Sequence, residues 1–353
     1  MSLKPNFFGL LIGVDYYLNP HFTTLTPTIE DVRCLNEALV DPRRGAYPRD
    51  QVTCLVGSDA DADAIRGALE ALAHVPSDAT VFIFFSGHGL RIKMQDQWQT
   101  YLCPNNATPY DKAHTLITTD ELSQALKAIP AQRLAVILDA CHAGGLVTLK
   151  DGRQNPLWQP HLPDSVYQQL SQGSGRVVIA SSRAEEYSHL HAKEQRSLLT
   201  HYVCDALNGA AAVRGDGFIY ILDVFHHVSI KVPAQEPTQH PILKADDLTS
   251  FPIALAQGGT HQMSQSSSEL MHIRQAIIND PLHGASQLSA FVATVPNGNQ
   301  WLIRIDLRRA ELQRIQDGED LFLHLSSDQK LLREQAIYDL FQVCSEIEQQ
   351  SAM

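Results

Sequence analysis

Two short segments carry the residue types that nucleophilic chemistry needs: Ser86-Gly87-His88-Gly89, and Asp139-Ala140-Cys141-His142-Ala143-Gly144-Gly145, with the histidine and the cysteine 53 residues apart. A thiol attacks an amide carbonyl only as thiolate, so it needs a neighbouring base and donors for the oxyanion that forms. An imidazole titrating near neutrality can take the thiol proton and later hand it to a leaving amine. Cys141 is therefore the candidate nucleophile and His88 its acid/base partner. Glycines beside both residues allow tight turns and close backbone approach, which makes the amides of Gly89 and Cys141 the candidate oxyanion hole. His142 offers an imidazole next to Cys141, yet no closed ligand set can be assembled around the pair, and no metal is expected.

Such residues act only if the fold brings them together. Phe7–Val14, Gln51–Val56, Val81–Phe85, Leu134–Leu138 and Val177–Ala180 are short, nearly continuous apolar runs, as in strands covered on both faces. Helical patterns over Ile29–Val40, Ala62–Ala73, Thr119–Ile129 and Ser197–Leu207 fall among them. The alternation predicts an α/β fold, a mostly parallel central sheet flanked by helices. In such sheets chemistry gathers at the carboxyl ends of strands, and both motifs sit there, directly after the third and fourth runs.

Together these residues resemble the caspase clan, and within it the metacaspases and bacterial orthocaspases. Caspases carry Q-A-C-[RQG]-G with a histidine about 50 residues upstream, a spacing already recognised for that family. Here Asp139 stands two residues before the cysteine and His142 follows it, which is similar to the metacaspase D-x-C-H-x-G pattern. Gly13-Val14-Asp15-Tyr16, Ile29-Glu30-Asp31-Val32, Ser181-Ser182 and Leu198-Leu199-Thr200-His201-Tyr202 extend the likeness over roughly residues 7 to 255.

The resemblance implies a caspase-like fold and a cysteine endopeptidase working through an acyl-enzyme thioester, activated by a signal, a partner or proteolytic processing. It also implies that Asp31 and Asp139 receive an Arg or Lys side chain, with Ser182 on the pocket wall, so that substrates are proteins or peptides with basic residues at the cleavage site. Lys150, Arg153, Lys193 and Arg196 are candidate self-processing points because they lie in expected surface loops. Part of the family is activated by calcium through an acidic cluster; Asp111 and Asp120 alone do not form one, and no cofactor is expected. Bacterial relatives often work in defence or stress pathways.

Length, charge and cysteine usage bound the remaining choices. The 353 residues suffice for one large domain and an appendage; the Gly/Gln/Ser-rich stretch 257–268 predicts a linker between a peptidase domain over 1–256 and a small regulatory or interaction module over 269–353. A net charge of -12 argues against nucleic acid, and no apolar run reaches the roughly 18 residues of a membrane span. The N-terminus reaches a charged residue too soon for a secretory signal, so the expected location is cytoplasmic. The six cysteines lack any CxxC pair, and most are expected to be reduced, packed thiols. Two competing readings are an interaction or signalling module whose cleavage is incidental or lost, and a thiol acyltransferase or transpeptidase using the same acyl-enzyme. Labelling by an acyl electrophile separates the first, and ligation to added amines the second.

Overall fold

The computed structural model describes residues 6–140 except 21, 26 and 96, residues 158–255 except 160, 161, 184, 185, 192, 212–216 and 247–249, and, with gaps, residues 270–347. Cys141, Lys150 and Arg153 lie outside the described residues. The chain divides into two compact units, Met1–Gly259 and Thr260–Met353.

The first unit begins β1 (Phe7–Gly13), α1 (Pro27–Val40), β2 (Val52–Val56), α2 (Ala62–Leu72), β3 (Thr80–Ser86), β4 (Gly89–Met94) and β5 (Gln97–Leu102). It continues α3 (Lys112–Thr115), β6 (Ile117–Thr118), α4 (Thr119–Ala128), β7 (Arg133–Asp139), β8 (Trp158–Gln159), α5 (Asp164–Leu170) and β9 (Arg176–Ala180). It closes with α6 (Leu198–Asp205), β10 (Phe218–Tyr220), α7 (Ile221–Gln235), β11 (Ile242–Ala245) and β12 (Pro252–Leu255). The central sheet runs β11-β9-β7-β3-β1-β2 and is parallel except for β11, which pairs antiparallel with β9.

Both faces of this sheet are covered, which is why its strands are apolar throughout rather than alternating. Val81, Ile83 and Phe85 of β3 join a core with Ile65 and Leu69 of α2, Leu122 and Leu126 of α4, and Val166 and Tyr167 of α5. Phe82 and Phe84, pointing the other way, are completely buried too. On that second face α1 packs against α6, and α6 against α7. Full burial of each such side chain is worth about 1.5–3 kcal/mol, so the central strands cannot slip register without a large loss.

Helix starts follow local chemistry. Asp61 caps α2 by accepting from the Ala64 N–H (2.8 Å), and Thr118 caps α4 by accepting from Glu121 (3.0 Å). Ser197 does the same for α6, accepting from the Thr200 N–H at 2.9 Å.

The structure adds one element to the sequence reading and corrects others. β4 and β5 form a hairpin within a four-stranded antiparallel sheet, β6-β5-β4-β8, beside the main one. Cys54, expected to be packed, is exposed because β2 is the sheet edge. Cys34 of α1 and Cys204 of α6, expected as reduced thiols, are joined in a disulfide with Cα atoms 6.5 Å apart. In the second unit, Trp301–Ile305, whose sequence alternates as a strand would, lies in the helix Asn299–Phe322, which packs against the helix Pro281–Val292.

Candidate active site

Register builds the site. Gly13 of β1 pairs with Ser86 of β3, and Ser86 pairs with Asp139 of β7, so three neighbouring parallel strands end level. His88 follows Ser86 by two residues and Ala140 follows Asp139 by one, so both described segments leave the sheet at the same edge; Cys141 is the next residue in sequence. Hydrogen bonds tie the two loops together: the Gly87 N–H donates to the Asp139 carbonyl, and the Gly89 N–H to the Ala140 carbonyl, both at 3.2 Å.

The second bond corrects one expectation. The Gly89 amide, a candidate oxyanion donor, is already engaged by the Ala140 carbonyl. Only glycine fits there comfortably, since a Cβ would stand 3.0 Å from that same carbonyl oxygen and 3.2 Å from Leu162.

His88 is buried at 4 % exposure and held on several sides. Its backbone N–H donates to the Tyr17 hydroxyl (2.8 Å), and its ring lies 4.8 Å from the Tyr17 ring and 6.0 Å from that of Phe22. Burial pushes the Tyr17 phenol well above its ordinary range, so this anchor stays neutral. The ring Nε2 sits 2.9 Å from the Thr23 carbonyl oxygen. A carbonyl can only accept, so Nε2 carries a proton, and in the neutral ring Nδ1 then carries the lone pair, the form a general base requires. No pattern in the sequence announces Thr23, because its contribution is a backbone oxygen.

Asp31 and Asp139 form the acidic part of the site, and both are completely buried. Asp31 Oδ1 accepts from the Ser197 N–H at 2.8 Å and Oδ2 from the Ser86 hydroxyl at 3.1 Å. Gly13 makes room for this: a Cβ there would fall 2.6 Å from the Thr28 carbonyl oxygen of α1. Asp139 differs. Both of its carboxylate oxygens are buried and neither has a hydrogen-bond partner among the described residues. Burial, and then the neighbouring Asp139 charge, pushes the Asp31 carboxyl well above the usual carboxylate range, against the pull of Ser197, Ser86 and Thr200.

That shift has a sign in stability. A carboxyl whose folded pKa exceeds its unfolded value contributes stability that is complete below the unfolded pKa and lost as pH rises through the folded one. Urea titrations of the Cys141→Ala chain are therefore expected to show stability falling as pH climbs above the ordinary carboxylate range, with Asp31→Asn flattening the slope. An unchanged slope in Asp31→Asn would remove Asp31 as its cause.

The other candidates are placed as follows. Ser182 is completely buried, and its hydroxyl donates to the Glu186 carbonyl at 3.1 Å. Lys193 is exposed, as expected of a loop residue. Arg196 is not: its guanidinium pairs with Glu194 and reaches Cys34 Sγ (2.8 Å), and the next residue, Ser197, is buried on Asp31. Asp111 binds His114 at 2.7 Å and Asp120 accepts from Gln169 at 2.7 Å. The functional partners that sequence reasoning missed are Ser86, Ser197, Tyr17 and Thr23. A cap signal preceding Leu198-Leu199 was available for Ser197 alone.

A family model described as the caspase domain matches residues 8–252. The chain belongs to the caspase-domain family. Among curated proteins it resembles Metacaspase-4 of Arabidopsis thaliana, with 27% identity over 151 residues, covering 39% of this chain. The match spans 34% of that relative's length. Solved structures that resemble it include protein GSU0716 from Geobacter sulfurreducens (TM-score 0.47, 17% identity, covering 68% of this chain and 93% of that one). Another is caspase-1 from Spodoptera frugiperda (TM-score 0.44, 14% identity, covering 69% and 87%). The family assignment rests on the domain match, which takes in His88, Cys141, Asp31 and Asp139.

Proposed function

We propose that this caspase-domain protein is a cysteine endopeptidase of the metacaspase type that cleaves after Arg or Lys. The observation that carries the specificity is Asp139, a fully buried carboxylate with neither oxygen partnered among the described residues, set beside a second buried acid. A buried carboxylate without a partner is costly, and a guanidinium or ammonium arriving with the substrate would supply the missing donors. His88 then serves the chemistry next door. With Nε2–H held on Thr23, Nδ1 takes the Cys141 proton; the thiolate adds to the carbonyl carbon, and the imidazolium gives its proton to the departing amine as the C–N bond breaks. Water, deprotonated by the same nitrogen, hydrolyses the thioester and restores the thiol.

Activation by a signal, a partner or processing, a cytoplasmic location and a regulatory role for the second unit belong to the same proposal. For processing, the exposed Lys193 is the better candidate of the two described loop cations.

A peptide panel varied only in the residue before the scissile bond tests the reading. Arg and Lys peptides are expected to be cleaved at least about 30-fold faster than Asp or Ala peptides, the scale of a desolvated charge pair worth 2–5 kcal/mol, with no cleavage by Cys141→Ala. Preference for Asp would overturn it.

A further inference from the structure

The segment between β9 and α6 holds a cluster that the peptidase chemistry does not use. Leu190 and Ser197 form an antiparallel bridge, the His191 N–H donates to the Arg196 carbonyl at 3.0 Å, and the Glu194 N–H to the His191 carbonyl at 3.3 Å. This tight hairpin turns His191 back onto His201, one turn into α6, and the two rings stack with centroids 3.9 Å apart. Glu194 Oε2 lies 3.3 Å from His201 Nδ1. One ligand atom from each of the three side chains falls within 4.8 Å of the other two, and all three side chains are half-buried. In addition, His191 Nδ1 is buried and makes no hydrogen bond to any described residue.

We propose that His191, Glu194 and His201 form a zinc site with one position left for water. Two imidazoles and a carboxylate suit a borderline divalent metal far better than calcium or magnesium, which prefer all-oxygen sets. Zinc bonds of 2.0–2.2 Å place tetrahedral ligand atoms roughly 3.3–3.5 Å apart, so the cluster must contract by about 1.5 Å at most. Glu194 Oε2 and His201 Nδ1 already stand at ligand spacing, 3.3 Å, so the movement falls on His191, whose ring must turn out of its stack with His201. Arg196 now pairs with Glu194 and opposes a cation, so a bound metal must compete with that ion pair for the Glu194 carboxylate. Lys193 also neighbours the cluster and is exposed, where its charge is screened by solvent. The site lies on the hairpin whose last residue, Ser197, holds Asp31, so metal binding stiffens the support of the acidic pocket.

The test uses the full chain carrying Cys141→Ala, which removes the reactive thiol and makes the result independent of the peptidase reading. Titration with zinc against a chromogenic chelator is expected to give one tight equivalent, weakened at least about 10-fold by Glu194→Gln, His191→Gln or His201→Gln. Cobalt substituted for zinc should give the visible bands of a four-coordinate nitrogen and oxygen site. Zinc should also protect His191 and His201 from acylation by diethyl pyrocarbonate, read by mass spectrometry, a measurement that needs no variant to fold. Zinc affinity unchanged in both histidine variants, or equal modification of the two rings with and without zinc, overturns the proposal.

Discussion

Replacing His88 with Gln is expected to lower kcat on an Arg peptide by about 10²–10⁴-fold, the usual worth of a positioned general acid and base. The amide of Gln can still donate toward the Thr23 carbonyl, which Nε2 now reaches at 2.9 Å, so the loss isolates the lone pair rather than the packing against Tyr17 and Phe22. KM should change little, because His88 moves a proton in the transition state and does not hold substrate in the ground state. A second readout follows from the thiol. Alkylation of Cys141 by a neutral reagent should shift its pH profile toward that of an isolated cysteine, near pKa 8.5, once the base is gone. A variant that keeps its alkylation profile and most of its kcat would show that another group deprotonates the nucleophile.

Asp139→Asn is expected to separate stability from function. Cleavage after Arg should fall between about 30-fold and a few thousand-fold, the kinetic equivalent of 2–5 kcal/mol for a buried charge pair that loses one partner. Folding should not suffer. The free chain buries this carboxylate without a described partner and beside Asp31, so neutralising it removes a desolvation cost and a like-charge repulsion. The urea midpoint is expected to stay level or rise. A citrulline peptide, neutral and nearly isosteric with arginine, should be cut equally poorly by both proteins. If instead Asp139→Asn destabilised the chain while Arg cleavage persisted within threefold, the carboxylate would be a structural support of the loop.

Both predictions draw on features of unequal visibility in the sequence. β1, β3, β7 and β9 were legible because a strand buried on both faces cannot afford polar residues, and Phe82 to Phe85 have none. The β4–β5 hairpin was not, since Arg91, Lys93, Gln97 and Gln99 dilute its apolar content and the turn lacks an Asn-Gly or Asp-Gly pair. α7 was missed for a related reason: Val224, Val228 and Val232 are weak helix formers, Pro233 interrupts its last turn, and tertiary packing overrides both. Trp301-Leu302-Ile303-Arg304-Ile305 misled in the opposite direction. Five residues can mimic alternation, whereas the buried Trp301, Ile305, Leu312 and Ile315 and the exposed Ile303 and Leu307 reveal a helical stripe only across four turns.

The candidate site divides along the same line. His88 is singled out by its residue type and flanking glycines, and Asp31 and Asp139 by the family resemblance of the motifs around them. Thr23 acts through a carbonyl, Ser197 through an amide and Gly13 through the absence of a side chain, and a single sequence displays none of these uses directly.

The level ending of Gly13, Ser86 and Asp139 couples two properties usually tuned apart. In the proposed peptidase, selection and reaction rate would both hang on one ladder of cross-strand hydrogen bonds, so an insertion or deletion of a single residue inside β3 or β7 would spoil both at once. Diversification of this scaffold is therefore confined to loops beyond those strands, where lengths can change while the spacing between recognition and reaction stays fixed.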